Sequence, residues 1–67
     1  MSVEDWNRMY PEGTLVRYFP MLGNVHEYED LLTRGEAFED SSGTPVIFLQ
    51  HKTGYVSLEH VTALDNN

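Results

Sequence analysis

Five glycines, at positions 13, 23, 35, 43 and 54, are spaced almost evenly along a chain of 67 residues. Because glycine marks turns and weakens the interior of helices and strands, this spacing divides the chain into short segments. Glycines this far apart do not form the clustered loop that binds phosphate. Several of the segments between them are rich in β-branched and aromatic residues, which predicts a small domain of short strands.

The chain is too short for more than one domain, and it has no cysteine from which a disulfide or a thiolate metal site could be made. Its hydrophobic fraction of 40% indicates folding rather than disorder. We expect modest stability, and a homo-oligomer is one way to increase it. No apolar run is long enough to span a membrane, and residues 1–6 (MSVEDW) do not resemble a signal peptide, so the chain is predicted to be cytoplasmic with no membrane partner.

Charge is the second constraint, because the net charge is −7 and much of it lies between residues 27 and 40. That acidic stretch contains Glu27, Glu29, Asp30, Glu36, Glu39 and Asp40, with Arg34 as the balancing cation. Such a surface repels phosphate, so nucleic acid is not expected as a partner. Three interpretations remain open: a solvated face, a site for a basic protein, and a mimic of nucleic acid.

The segment of residues 1–10 is predicted to be helical. Ser2 and Asp5 fit a capping pattern, and Val3, Trp6 and Tyr10 have helical spacing before Pro11. The barrel itself is assigned to residues 13–65, and the apolar side of the helix is expected to lie on that barrel or on a neighbouring subunit.

Strands are predicted at residues 14–19, 45–50, 55–57 and 61–64, with a loop at 21–26, a 3₁₀ turn at 58–60 and fraying at 65–67. Residues 27–40 are predicted to form a bent strand with Gly35 at a bulge. The helical spacing of Tyr28, Leu31 and Leu32 leaves a helix open for residues 27–38. The core is predicted to contain Val46, Phe48, Val56, Leu58, Val61 and Leu64.

Residues 54–64 (GYVSLEHVTAL) resemble the end of an SH3-type barrel, and residues 12–17 (EGTLVR) are similar to its beginning. The resemblance implies an all-β fold: a five-stranded SH3-like barrel with a short N-terminal helix and a 3₁₀ turn before the last strand. SH3 domains that bind proline-rich peptides carry a proline and a tyrosine beside this turn. Ser57 and His60 occupy those positions here, which disfavours proline-rich ligands.

Two further resemblances concern origin and activity. The strand pattern is similar to that of the plasmid-encoded type II dihydrofolate reductases, whose Val-Gln-Ile-Tyr segment lines a pore between four subunits. The matching residues here are Val56, Ser57, Leu58 and Glu59, so both polar family residues are replaced. Residues 33–38, 43–46 and 54–61 also resemble small uncharacterised proteins of bacteriophages and prophages, which implies a phage origin.

Catalytic, cofactor and metal residues are not predicted. His26, His51 and His60 lack the spacing of a zinc site, and Ser57 with His60 lacks a third group to orient the base. More aromatic residues are present than the predicted core needs, which favours an apolar contact surface beside an acidic rim, although an extended core beneath the N-terminal helix remains an alternative.

The predicted function is therefore a non-enzymatic protein-protein interaction module without a cofactor, encoded by a phage and directed at a basic host protein. The alternative is an oligomeric barrel enzyme that binds a small ligand or acts like a reductase. The predicted partner-binding residues are Trp6, Tyr10, Glu27, Tyr28, Glu29, Asp30 and Tyr55.

Overall fold

The computed structural model of the protein describes residues 1–64, so the predictions for residues 65–67 lie outside the described part. The elements are the helix α1 (Val3–Met9), the strands β1 (Leu15–Tyr18), β2 (Glu29–Glu39), β3 (Pro45–Leu49), β4 (Tyr55–Ser57) and β5 (Val61–Ala63), and a 3₁₀ turn (Leu58–His60). The all-β fold class, the N-terminal helix and the 3₁₀ turn before the last strand are confirmed. No helix of the described residues is long and apolar enough to cross a bilayer.

All five strands are antiparallel and follow the order β4-β3-β2-β1-β5. β2 has eleven residues and lies at the centre of this order. Its first part, Glu29 to Leu32, pairs with β1, and the part after Leu32 pairs with β3. One long strand therefore joins the two halves of the domain.

The bend predicted in β2 is present at Gly35. The register with β3 shifts between Arg34 and Phe38, which marks a bulge, and Gly35 has φ +82°. Only glycine enters this region without a steric penalty. The alternative of a helix over residues 27–38 is excluded, because the backbone of β2 pairs with strands on both sides.

Replacing Gly35 with alanine is expected to lower the free energy of unfolding by about 1–2 kcal/mol, the usual penalty for a side chain in the left-handed region. A Cβ at this position would have no atom within 4 Å, so the loss is conformational and not a clash. Urea unfolding measures it. Glu36→Ala, an exposed change in the same strand, is the matched control and should change stability by less than about 0.5 kcal/mol; equal effects would contradict a role for the backbone at Gly35.

The core lies between the two halves of the sheet and α1. It consists of Trp6, Val16, Ala37, Ile47, Leu49, Leu58 and Val61. The prediction of Phe48 as a core residue is wrong, because alternation along β3 turns Ile47 and Leu49 into the core and Phe48 to the other face. Val46, Leu58 and Val61 are buried as predicted, whereas Leu64 is only half-buried.

The helix α1 begins as its sequence predicts, with the Ser2 hydroxyl accepting a hydrogen bond from the Asp5 amide at 3.1 Å. Its hydrogen bonds to the sheet are made by Asn7. The Asn7 amide nitrogen donates to the Ala37 carbonyl at 3.0 Å, and the Asn7 side-chain oxygen accepts from the Ala37 amide at 2.8 Å. Asn7 thus forms the hydrogen bonds to the β2 backbone that a neighbouring strand would otherwise form just after the bulge.

A second tie connects the turn before β1 to β2 through Thr33, which is 1% exposed. The Thr33 hydroxyl accepts from the amides of Gly13 and Thr14 at 3.0 and 3.1 Å. Because the turn follows α1 directly, these bonds and those of Asn7 fix the helix on the sheet.

Candidate interaction surface

Exposed apolar side chains are most numerous in the hairpin formed by β1, β2 and the loop between them. Of the nine large hydrophobic residues that are exposed in the described structure, six lie in the loop between β1 and β2 or on the outward faces of these two strands. This set, called the apolar patch below, consists of Leu15, Met21, Leu22, Val25, Tyr28 and Leu32. Met21, Leu22 and Val25 have exposed fractions of 61%, 53% and 65%, which is far more than packing within the domain requires.

The base of the loop is held by the 3₁₀ turn. The Phe19 amide donates to the His60 carbonyl at 2.8 Å, and His60 Nδ1 lies 2.7 Å from the Phe19 carbonyl. Since a carbonyl only accepts, Nδ1 carries the proton in this bond. The Phe19 ring also meets the Tyr28 ring edge-on, with the ring centres 6.0 Å apart. The apolar tip of the loop therefore projects from a fixed base.

Asp30, one of the predicted acidic contacts, is paired within the domain. Its carboxylate accepts two hydrogen bonds from the Arg17 guanidinium, at 2.8 and 3.0 Å. The hydrogen bond from Arg17 lowers the pKa of Asp30 below its usual value. The Arg17 guanidinium also lies 4.0 Å from the centre of the Tyr28 ring. Arg17 thus neutralises an acidic residue and covers part of an aromatic one.

Glu29 is paired in the same way with Lys52, whose Nζ lies 2.7 Å from the carboxylate. This hydrogen bond raises the pKa of Lys52, and the ammonium lies 5.2 Å from the centre of the Tyr18 ring. Lys52 belongs to the turn between β3 and β4, 23 residues further along the chain. Folding therefore brings Arg17 and Lys52 to the acidic stretch, whose own sequence contains Arg34.

Every Lys and Arg side chain of the protein is engaged in the described structure. Arg8 pairs with Asp5, Arg17 with Asp30 and Lys52 with Glu29. Arg34 lies 4.7 Å from the centre of the Phe48 ring and donates to the Lys52 carbonyl at 3.4 Å. Consequently the negative charge that remains belongs to acidic residues such as Glu12, Glu27, Glu36, Glu39 and Glu59, which are exposed and form no ion pair within residues 1–64.

Asp40, at the end of the acidic stretch, has a local structural role. Its carboxylate accepts from the Ser42 amide and hydroxyl and from the Thr44 amide, between 2.7 and 3.0 Å. The hydrogen bond from the Ser42 hydroxyl, the largest cause, and those from the two amides lower the pKa of Asp40. The carboxylate therefore shapes the turn between β2 and β3.

Tyr55 lies on a different surface from Tyr28. It belongs to an aromatic cluster with Phe38 and Phe48, whose ring centres lie 5.6–6.0 Å apart on the outward face of β2, β3 and β4. The Tyr55 hydroxyl donates to Asp40 at 3.4 Å. The predicted contact residues are thus divided between two faces.

Trp6 needs a correction, because it is 4% exposed and belongs to the core. Its ring packs beside that of half-buried Tyr10, with the ring centres 4.6 Å apart. Trp6 therefore belongs to an extended core beneath the helix, which was the alternative to an apolar contact surface. The folded domain leaves its indole almost no area for a large partner contact, whereas Tyr28 and Tyr55 keep exposed fractions of 45% and 47%.

The polar residues near the 3₁₀ turn have structural contacts. The Ser57 hydroxyl accepts from the Glu59 amide at 3.2 Å and caps the turn, while the His60 ring is bonded to Phe19. Within residues 1–64 no group of three or more histidine, aspartate or glutamate side chains is arranged to hold a metal ion.

Comparison of the chain with protein-family models, with curated proteins and with solved structures found no match.

Proposed function

We propose that the protein is a non-enzymatic interaction module that binds another protein through the apolar patch. The observation that supports this most is the loop between β1 and β2, where Met21, Leu22 and Val25 are each more than half exposed. Contact with water raises the free energy of large apolar side chains clustered on a short loop. A partner that covers them lowers it. The ion pairs of Asp30 and Glu29 remove charge beside the patch, which reduces the cost of covering it.

The partner is expected to be basic. Glu27 lies at the end of the loop, is exposed and forms no ion pair within the described residues. With the unpaired acids of β2, it gives the neighbourhood of the patch a negative potential that speeds association with a positively charged protein. A phage origin and a host target are part of this proposal. The alternative function, an oligomeric barrel enzyme that binds a small ligand or acts like a reductase, stays a prediction.

A pair of loop variants tests the proposal. Proteins retained from a bacterial lysate by the wild-type chain would be identified, and the binding of each purified basic protein would be measured by surface plasmon resonance. Met21→Ser/Leu22→Ser is expected to weaken binding at least about tenfold, since two anchors of about 1–2 kcal/mol each are removed. Met9→Ser, an exposed methionine on α1, is the matched control and should leave affinity unchanged.

Charge and apolar contact are separated by a second comparison. Glu27→Lys should slow association at low salt and leave dissociation nearly unchanged, because an exposed charge acts mainly on the rate of encounter. Glu4→Lys, in the first turn of α1, carries the same charge change outside the loop and should leave the association rate nearly unchanged. If the double serine variant binds as tightly as the wild type, the apolar patch is not the binding surface.

A further inference from the structure

A second feature lies beside β5, the strand at one end of the strand order. Two shallow depressions lie there, with volumes of about 300 and 390 Å³. The first lies between α1 and β5, and the second lies between the turn after α1 and the end of β5. The first is lined by Met1, Trp6, Tyr10, Leu58, Val61, Thr62 and Ala63. The second is lined by Pro11, Glu12, Gly13, Thr14, Leu15 and Leu64.

The two depressions follow one another along both walls. On one wall Tyr10 of the first is followed by Pro11 of the second, and on the other wall Ala63 is followed by Leu64. The two depressions are therefore neighbours, and together they are called the β5 groove below. A groove that follows a strand has the shape of an extended peptide and not of a compact ligand.

The backbone of β5 leaves hydrogen-bonding groups at this groove. Among residues 1–64, β5 pairs only with β1 and ends the strand order. The Leu64 amide donates to the Leu15 carbonyl at 2.9 Å, and the Phe19 amide donates to the His60 carbonyl at 2.8 Å. Because bonded positions alternate in an antiparallel ladder, Ala63 turns its amide and carbonyl away from β1. These are the groups that an added strand requires.

Nothing in the composition of β5 opposes such an addition. Edge strands usually carry lysine, proline or an inward-pointing charge that prevents pairing with other chains. The residues of β5 are Val61, Thr62 and Ala63, and Leu64 follows them, so the edge is uncharged. The wall opposite is apolar and aromatic, with Trp6 and Tyr10.

The charges of the groove define the partner. Glu12 lines the second depression, and exposed Glu59 follows Leu58 in the 3₁₀ turn beside the first. No lysine or arginine side chain lines either depression. A second copy of this chain would bring a net charge of −7 against another −7, whereas a basic segment is attracted.

We propose that the β5 groove binds an extended segment of another protein, with alternating apolar and basic residues, which pairs with β5 as a sixth strand. The backbone of the segment bonds to Ala63, its apolar side chains lie against Met1 and Tyr10, and its cations lie near Glu12 and Glu59. The site shares Leu15 with the apolar patch but none of the loop residues Met21, Leu22 and Val25, so the loop variants test the patch without changing the groove.

Synthetic peptides test this site directly. The first probe is a capped peptide of about eight residues, a common strand length, in which valine alternates with lysine. It is titrated into the full chain, with Trp6 fluorescence and the NMR shift of the Ala63 amide as readouts. Binding with a Kd below about 1 mM is expected, together with slower hydrogen exchange of the Ala63 amide.

Three comparisons make the outcome decisive. The same peptide with glutamate in place of lysine should bind at least about tenfold more weakly, which is about 1.4 kcal/mol. An N-methylated form, which keeps the side chains but cannot donate to β5, should lose binding. Ala63→Pro, which removes an amide that faces away from β1, should lose it as well, and Met21→Ser/Leu22→Ser should not.

The proposal is overturned if the N-methylated peptide binds as well as the parent, or if the shifted amides lie in residues 21–28. It is equally overturned if the lysine peptide does not bind at 1 mM, or if sedimentation shows that two copies of the chain occupy the groove.

Discussion

Trp6→Ala is expected to remove a large part of the free energy of unfolding of the protein. Replacing a buried tryptophan with alanine costs about 3–5 kcal/mol, because the transfer free energy of the ring is lost and a cavity remains. A domain of this size has about 3–10 kcal/mol of stability in total, at about 0.05–0.15 kcal/mol per residue. Trp6 is also the buried residue of α1, so its loss detaches the helix from the core.

Circular dichroism during urea unfolding measures this loss. Met9→Ala is the matched control, because Met9 lies on the same helix and is 51% exposed. That variant should stay within about 0.5 kcal/mol of the wild type. A folded Trp6→Ala protein with nearly wild-type stability would mean that α1 does not contribute to the core in solution.

Asn7→Ala is expected to have the second largest effect, a loss of about 2–3 kcal/mol. The change removes both hydrogen bonds to Ala37, so the partly buried backbone amide and carbonyl of Ala37 have no protein partners. Each such unsatisfied group costs about 1–3 kcal/mol. Alanine is the better helix former, which stabilises α1 by a few tenths of a kcal/mol and partly offsets the loss.

The next residue supplies the control for this variant. Arg8→Ala removes an exposed ion pair with Asp5, and such pairs contribute little. Hydrogen exchange locates the effect, since the Ala37 amide should exchange much faster in Asn7→Ala and at its normal rate in Arg8→Ala. Unchanged protection of Ala37 would contradict the role given to Asn7.

Local signals were sufficient to predict most of the fold. The capping residue Ser2, the glycines at turns and the β-branched runs act over a few residues, and so the elements fell within a residue or two of their predicted ends. The bend at Gly35 was predictable for the same reason. The inward direction of Ile47 and Leu49 was not, because a continuous apolar run such as β3 has no alternation from which the buried face could be identified.

The candidate site was less predictable, because its electrostatics depend on residues far apart in the chain. Arg17 reaches Asp30 across a strand pair, and Lys52 reaches Glu29 from another turn. Neither pair has a sequence spacing that would reveal it. The helical spacing of Trp6 predicted an apolar stripe, but only the packing of α1 on the sheet distinguishes a core residue from a contact residue.

The pairing of β2 with both β1 and β3 affects which part of the native domain unfolds locally first. β2 joins its neighbours β1 and β3 through connections that are short in sequence, whereas β5 returns to β1 from almost the other end of the chain through a register of three residues. While the rest of the domain stays folded, releasing β5 breaks only this short ladder and frees only the residues after the 3₁₀ turn. Fluctuations of the native state should therefore release β5 first and the centre of β2 last. The edge assigned to an incoming peptide is thus the part of the domain whose order a bound strand would increase most.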